Sequence, residues 1–127
     1  MYVFHNGKLL KVYHISLGTS PEGPKHFQGD RKTPEGLYFI NDKNPSSIAH
    51  KSLGISYPNE RDRKYAKYNG LPTSGDVKIH GIMNGYENQE DDWMKSDWTW
   101  GCIAVRNSEV DELYDRVIIG SPINILP

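Results

Sequence analysis

The chain is 127 residues long, with 15 basic against 16 acidic side chains and a formal net charge of −1. It therefore carries no basic field of the kind that nucleic-acid binders need, and no nucleic-acid partner is expected. No apolar run is long enough to span a membrane, and the start, Met1 to Gly7, lacks the basic and apolar regions of a signal peptide.

Length alone predicts a single domain over residues 1–127, large enough to bury a core without disulfide staples. Hydrophobic residues make up 36%, with 12 glycines and 8 prolines, a composition that favours turns over helices. Tyr2 to Phe4 and Leu9 to Leu17, joined by Asn6-Gly7, read as a β-hairpin, because both turn residues tolerate positive φ. Residues 18–32 are rich in Gly, Pro and charge and read as a loop. Gly36 to Ile40 reads as a strand, residues 41–59 as polar and irregular, and Glu60 to Tyr68 as a short helix. Val77 to His80 is a short strand stopped by Gly81. Ile82 to Trp98 is a polar insertion, and Ile103 to Val105 a short apolar run, either strand or the entry to a helix. Ser108 to Asp111 resembles a capping box opening a helix through Arg116, followed by short strands at 117–119 and 122–126. The sum is a mainly β chain with one or two short helices.

One cysteine, Cys102, lies in the run Trp98-Thr99-Trp100-Gly101-Cys102-Ile103. A lone thiol forms no intrachain disulfide and no four-thiolate zinc site. It is either a small buried hydrophobe or a nucleophile. The attacking species is the thiolate, which a free cysteine supplies only in small fraction at neutral pH, so a nucleophile needs a neighbouring base or cation. Among five histidines, His80 is the best candidate, because it ends a predicted strand and Gly81 leaves space beside the ring. Gly101 would let a substrate carbonyl approach the local backbone N–H groups, an oxyanion hole worth about 3–4 kcal/mol per donor. The remaining histidines, His5, His14, His26 and His50, have no metal-ligand spacing, so neither a metal nor another cofactor is expected.

Five segments, in order, carry a resemblance: Asn6 to Leu10, Ser16-Leu17-Gly18, Gly29 to Gly36 (Gly-Asp-Arg-Lys-Thr-Pro-Glu-Gly), Ile79-His80-Gly81 and Thr99 to Ile103. Together they resemble the L,D-transpeptidase catalytic domain (YkuD-type), with the wording around Cys102 similar to its YafK-like branch. The resemblance implies a β-sandwich of mixed sheets that acts on peptidoglycan stem peptides in the bacterial cell envelope or periplasm. With no signal peptide in the chain, the export route stays open, as does the oligomeric state. It implies that Cys102 attacks an amide at an L-to-D junction to give a thioester, with His80 as general base. The Gly81 carbonyl would orient the imidazole, and backbone N–H groups of Trp100, Gly101 and Cys102 would form the oxyanion hole. An amine acceptor would complete transpeptidation. Water would make the enzyme an L,D-carboxypeptidase or amidase, an alternative that includes a secreted effector. A third alternative is a non-catalytic cell-wall-binding module with an inert cysteine.

Two positions depart from the common family pattern. Trp100 stands where many members have a second histidine, and Ala104 where many have Arg or Asn. Arg106 could instead bind a substrate carboxylate bidentately. The Gly29 to Gly36 run reads as a hairpin connection with Thr33-Pro34 setting the strand entry, as a pocket wall with Arg31 or Lys32 facing an anionic stem, or as both, and Thr33 is a further candidate substrate contact. Lys25 and His26 in the preceding loop either flank the cleft or, the favoured reading, are ordinary structural residues. Trp98 and Thr99 are candidate substrate contacts, and the Trp93, Trp98, Trp100 cluster is either core or a groove for a sugar or peptide face.

Overall fold

A computed structural model of the chain describes residues 1–73 and 75–127. Strands β1 (Tyr2–His5) and β2 (Lys8–Val12) form the expected hairpin, with Asn6 and Gly7 at φ 50° and 77° in its turn. The predicted second strand stops at Val12, not Leu17. Tyr13 still donates to the Met1 carbonyl at 2.8 Å, after which residues 16–18 leave the hairpin and pair with Ala104 and Thr99.

The main sheet has five strands in the order β6-β5-β4-β3-β7. It comprises β3 (Gly36–Ser47), β4 (His50–Ile55), β5 (Lys78–His80), β6 (Ile103–Ala104) and β7 (Pro122–Ile125). All neighbours are antiparallel except β5 and β6, so the sheet is mixed. Residues 41–59, expected to be irregular, instead hold most of a long hairpin. Its polarity hid it. In β3, Tyr38 and Ile40 alternate inward with Leu37 and Phe39 outward, but past Ile40 the register shifts twice and the inward positions lose their apolar side chains. In β4 the pattern vanishes altogether, because Ser52, Leu53, Gly54 and Ile55 are all buried in a strand covered on both faces.

Helix α1 (Glu60–Tyr68) matches its predicted bounds and starts at a capping box, in which Asn59 Oδ1 accepts from the Asp62 amide at 2.9 Å and Asp62 Oδ2 accepts from the Asn59 amide at 3.0 Å. A short α2 (Glu90–Trp93) lies inside the polar insertion, and α3 (Asn107–Arg116) begins one residue earlier than expected. Its N-terminus is closed by Glu109, which accepts the Arg106 amide at 3.0 Å, rather than by Ser108 and Asp111. The fold is thus mostly β with mixed sheets and three short helices, one more than the upper expectation. Residues 117–119 form no strand. They lead into a turn in which Gly120 donates to the Ile40 carbonyl at 2.7 Å.

The core lies on one face of the main sheet, where Tyr38, Leu53, Ile79, Ile103 and Val105 meet Val110 and Leu113 of α3. A smaller cluster of Ile82, Met94 and Ala104 on the other side is covered by Trp93 and Trp98. Leu53 is fully buried at the centre of the sheet. Leu53→Ala is expected to lower unfolding stability by about 2–5 kcal/mol, measured by urea denaturation; a loss below 1 kcal/mol would contradict this placement.

Candidate active site

The parallel pairing of β5 and β6 sets Ile79 opposite Ile103 and His80 opposite Ala104. Side chains alternate along a strand, so Ile79, Ile103 and Val105 enter the core while His80 and Ala104 share the other face. Cys102 immediately precedes β6, so the same pairing brings its backbone alongside β5. Parallel neighbours need a long crossover, which is why so much sequence separates His80 from Cys102.

The thiol of Cys102 donates to the Asp76 carbonyl at 3.7 Å. Burial pushes this thiol above its ordinary range, against the Lys78 amide directed at the sulfur and the charges of Lys78 and Lys25. His80 Nδ1 lies 2.7 Å from the Gly81 carbonyl. A carbonyl only accepts, so Nδ1 carries the hydrogen and the neutral ring keeps its lone pair on Nε2. Burial lowers the His80 pKa below its ordinary value, with the Gly81 hydrogen bond opposing and Lys78 assisting. Two buried polar groups lie beside the ring. Ser52 Oγ, on the strand position opposite His80, and Trp98 Nε1, whose ring lies edge-on 5.6 Å from the imidazole, are buried without hydrogen-bond partners among the described residues.

Gly81 acts differently from the expectation. It does not leave space beside the imidazole. A Cβ there would meet Asn107 Oδ1 at 2.3 Å and the Ala49 carbonyl at 3.2 Å. Asn107 uses that oxygen to accept the Ile82 amide at 2.8 Å, so α3 grips the chain immediately after His80.

The turn before Cys102 is braced by Thr99. Its buried hydroxyl donates to the Cys102 carbonyl at 2.6 Å and accepts the Gly101 amide at 3.1 Å. Thr99 is therefore an internal strut, not a substrate contact. The Gly101 amide is spent on that strut, which removes it from the expected oxyanion hole and leaves the Trp100 and Cys102 amides as candidates. Gly101 has a second reason to lack a side chain: at φ 136° its Cβ would lie 2.7 Å from the Lys32 carbonyl. The turn is also tied to the segment after the first hairpin. Thr99 donates to the Leu17 carbonyl at 3.1 Å, Thr19 to the Thr99 carbonyl at 2.9 Å, and Leu17 to Asp97 Oδ1 at 2.8 Å.

Asp30 organises the loop that walls this turn. Its carboxylate accepts from Lys25 Nζ at 2.9 Å and from the amides of His26, Phe27 and Lys32. Burial pushes the Asp30 pKa up, but these donors outweigh it and hold the carboxyl below its ordinary range. Lys25, expected to be an ordinary loop residue, is buried with its ammonium 3.6 Å from where a Gly101 Cβ would be. His26 does stay structural, stacked on Tyr65 at 4.4 Å. Thr33 is buried and accepts the Gly18 amide at 3.2 Å, so it does not face a substrate. Lys32 gives its ammonium to the Glu22 carbonyl. Of the predicted trio only Arg31 reaches the surface near Cys102, lying 4.9 Å over the exposed ring of Trp100.

Arg106 is turned elsewhere. Its guanidinium pairs with Glu90 at 3.4 Å and with Asp91, both on α2, which commits it within the protein instead of to a substrate carboxylate. Trp98 does border His80, as part of an aromatic row. Asp76 and Lys78 were missed in the sequence because they act through backbone atoms, which leave no residue-type signal. Beside them opens a cleft of about 340 Å³ lined by Asn41, Asp42, Tyr57, Asp76 and Lys78.

Superposition on solved structures places the fold among the L,D-transpeptidases. An L,D-transpeptidase from Mycobacterium smegmatis superposes with a TM-score of 0.61 at 16% identity, covering 99% of this chain and 53% of the other. The helical cell shape determining protein Pgp2 from Campylobacter jejuni superposes at 0.68 with 27% identity, covering 97% of this chain and 41% of that one. Residues 1–125 match the L,D-transpeptidase catalytic domain (YkuD), and the chain belongs to that family. It is 31% identical over 121 residues to YafK of Escherichia coli K12, a protein described provisionally as an L,D-transpeptidase. The match takes in 91% of this chain and 42% of YafK, so the chain spans less than half the length of that relative.

Thr99→Val keeps the side-chain shape but orphans a buried carbonyl and a buried amide. It is expected to cost about 1–3 kcal/mol in urea denaturation; an unchanged midpoint would mean that the turn holds itself without the hydroxyl.

Proposed function

We propose that the chain is a peptidoglycan-processing cysteine enzyme that forms a thioester with a stem peptide at an L-to-D amide. The observation that supports this is the pairing of β5 with β6, which brings the strand end bearing His80, with Nε2 free to accept a proton, beside the segment that follows the single cysteine, in a chain of the L,D-transpeptidase family. Family membership also favours an enzyme of the bacterial envelope. Among the described residues, no helix is long and apolar enough to cross a membrane.

The scissile amide lies over Cys102 with its chain in the cleft lined by Tyr57, Asp76 and Lys78. His80 Nε2 takes the thiol proton as the sulfur attacks the carbonyl carbon. The oxyanion is met by the Trp100 and Cys102 amides, donors fixed in place before the charge develops. When the C–N bond breaks, His80 returns the proton to the leaving amine, and the acyl group stays on sulfur. An amine then takes the acyl group in transpeptidation, or water does in hydrolysis. Arg31 on Trp100 offers a cation at the mouth for an anionic part of the stem.

In the resting site burial disfavours both charged forms, thiolate and imidazolium alike, so proton transfer accompanies attack. Two outcomes follow. Cys102→Ala is expected to abolish loss or exchange of the terminal D-residue of a tetrapeptide stem, read by mass spectrometry against an all-L control; retained turnover would overturn the mechanism. The second concerns pH. A base held below its ordinary pKa of 6.5 stays neutral to lower pH, so the acid limb of kcat/KM should fall below that value, with full rate at pH 7. An acid limb above pH 7 would contradict a buried imidazole as the base.

A further inference from the structure

A chain of ring contacts leads from His80 through three further aromatic side chains. Trp98 lies 5.6 Å from His80, Trp93 lies 4.8 Å from Trp98, and Tyr86 lies 5.0 Å from Trp93. The planes of Trp93 and Trp98 meet at 60°. Both line an open groove of about 380 Å³, which is lined also by Gln89, Asp92 and Ser96. Core packing explains why Trp98 covers Met94 and Ala104. It does not explain an open groove that two touching indoles share with polar side chains.

We propose that this groove is a saccharide subsite, which holds a neutral N-acetylated amino sugar of the glycan strand while the attached stem peptide reaches Cys102. The inference rests on the stem-peptide chemistry proposed above. Three features select the occupant. Apolar indole walls beside a few hydrogen-bonding groups suit a pyranose, which has one C–H face and a hydroxyl rim. Among the described residues no cation lines the groove, whose one charged group, Asp92, is already paired with Lys95 at 3.1 Å, so it offers hydrogen bonds to an uncharged sugar and nothing to hold the anionic ends of a stem. Length also agrees. Two ring steps put Trp93 at most about 10 Å from His80, and three extended residues between the sugar and a cut before the fourth residue span about 10 Å.

The test separates the subsite from the chemistry. In Cys102→Ala, which holds substrate without turning it over, N-acetylglucosamine tetramer is titrated while indole fluorescence and indole N–H NMR signals are followed. Saturable shifts at Trp93 and Trp98 are expected, and they should vanish in Cys102→Ala/Trp93→Ala. In the active protein, a disaccharide-tetrapeptide should have a KM about tenfold below that of the free tetrapeptide, equivalent to one stacked ring. Trp93→Ala should erase that preference and leave kcat on the free tetrapeptide unchanged. Gln89→Ala/Asp92→Ala changes only exposed rim residues, and it should weaken sugar binding even if Trp93→Ala fails to fold. No shift with the tetramer, or an equal preference in wild type and rim variant, would overturn the subsite. Loss of turnover on every substrate together with intact sugar binding would overturn the thioester reading alone.

Discussion

Everything at the candidate site hangs on a ladder two residues long. The parallel contact of Ile79-His80 with Ile103-Ala104 is the shortest pairing in the main sheet, yet it alone sets the imidazole against the segment that bears the thiol. So short a ladder does not hold its own register. Three neighbours hold it. The β4 strand pairs with β5 on the far side, Asn107 grips the chain after His80, and residues 16–19 bind the Thr99 turn and Ala104. Most of these restraints are backbone hydrogen bonds, which are insensitive to side-chain identity but demand close approach. Close approach in turn excludes a Cβ at Gly18, where it would lie 2.1 Å from the Arg31 carbonyl.

The electrostatic balance follows from the same packing. Burial disfavours charge on the Cys102 thiol and on the His80 imidazole alike, and the buried cation Lys25 is largely neutralised by Asp30 at 2.9 Å. A thiol held above its ordinary range supplies less thiolate, the species that alkylation and oxidation need. Lys25 and Asp30 spend their charge on architecture. One carboxylate gathers three amides and an ammonium and thereby fixes the wall that faces Gly101.

The sequence signals were strongest where local chemistry decides the structure. Asn6-Gly7 forces a tight hairpin turn, Glu60 to Tyr68 carries its own cap, and His80 closes a short apolar strand; each was legible without tertiary information. The hairpin of β3 and β4 was not, because a strand buried on both faces shows no alternation and a bulged polar strand shows a broken one. At the site, residue type pointed to His80 and Cys102, and the row of motifs pointed to the family. Roles assigned by polarity alone fared worse. Thr33, Thr99 and Arg106 are polar groups beside a motif, but each meets a need of the backbone or of a neighbouring helix. No sequence pattern distinguishes a hydroxyl that binds ligand from one that props a turn. Asp76 and Lys78 contribute backbone atoms, which every residue has.

The strap formed by residues 16–18 has a consequence beyond the geometry of the turn. It lies along the outer side of β6, where Ser16 and Ala104 exchange both backbone hydrogen bonds at 2.9 and 2.8 Å. Without it β6 would be a bare apolar edge, a template for strands of other chains. The opposite edge, β7, begins with Pro122, which donates no hydrogen bond. The same few residues that brace the turn before Cys102 thus keep the sheet from growing sideways, so substitutions that loosen the strap expose an aggregation-prone edge as well as disturbing that turn.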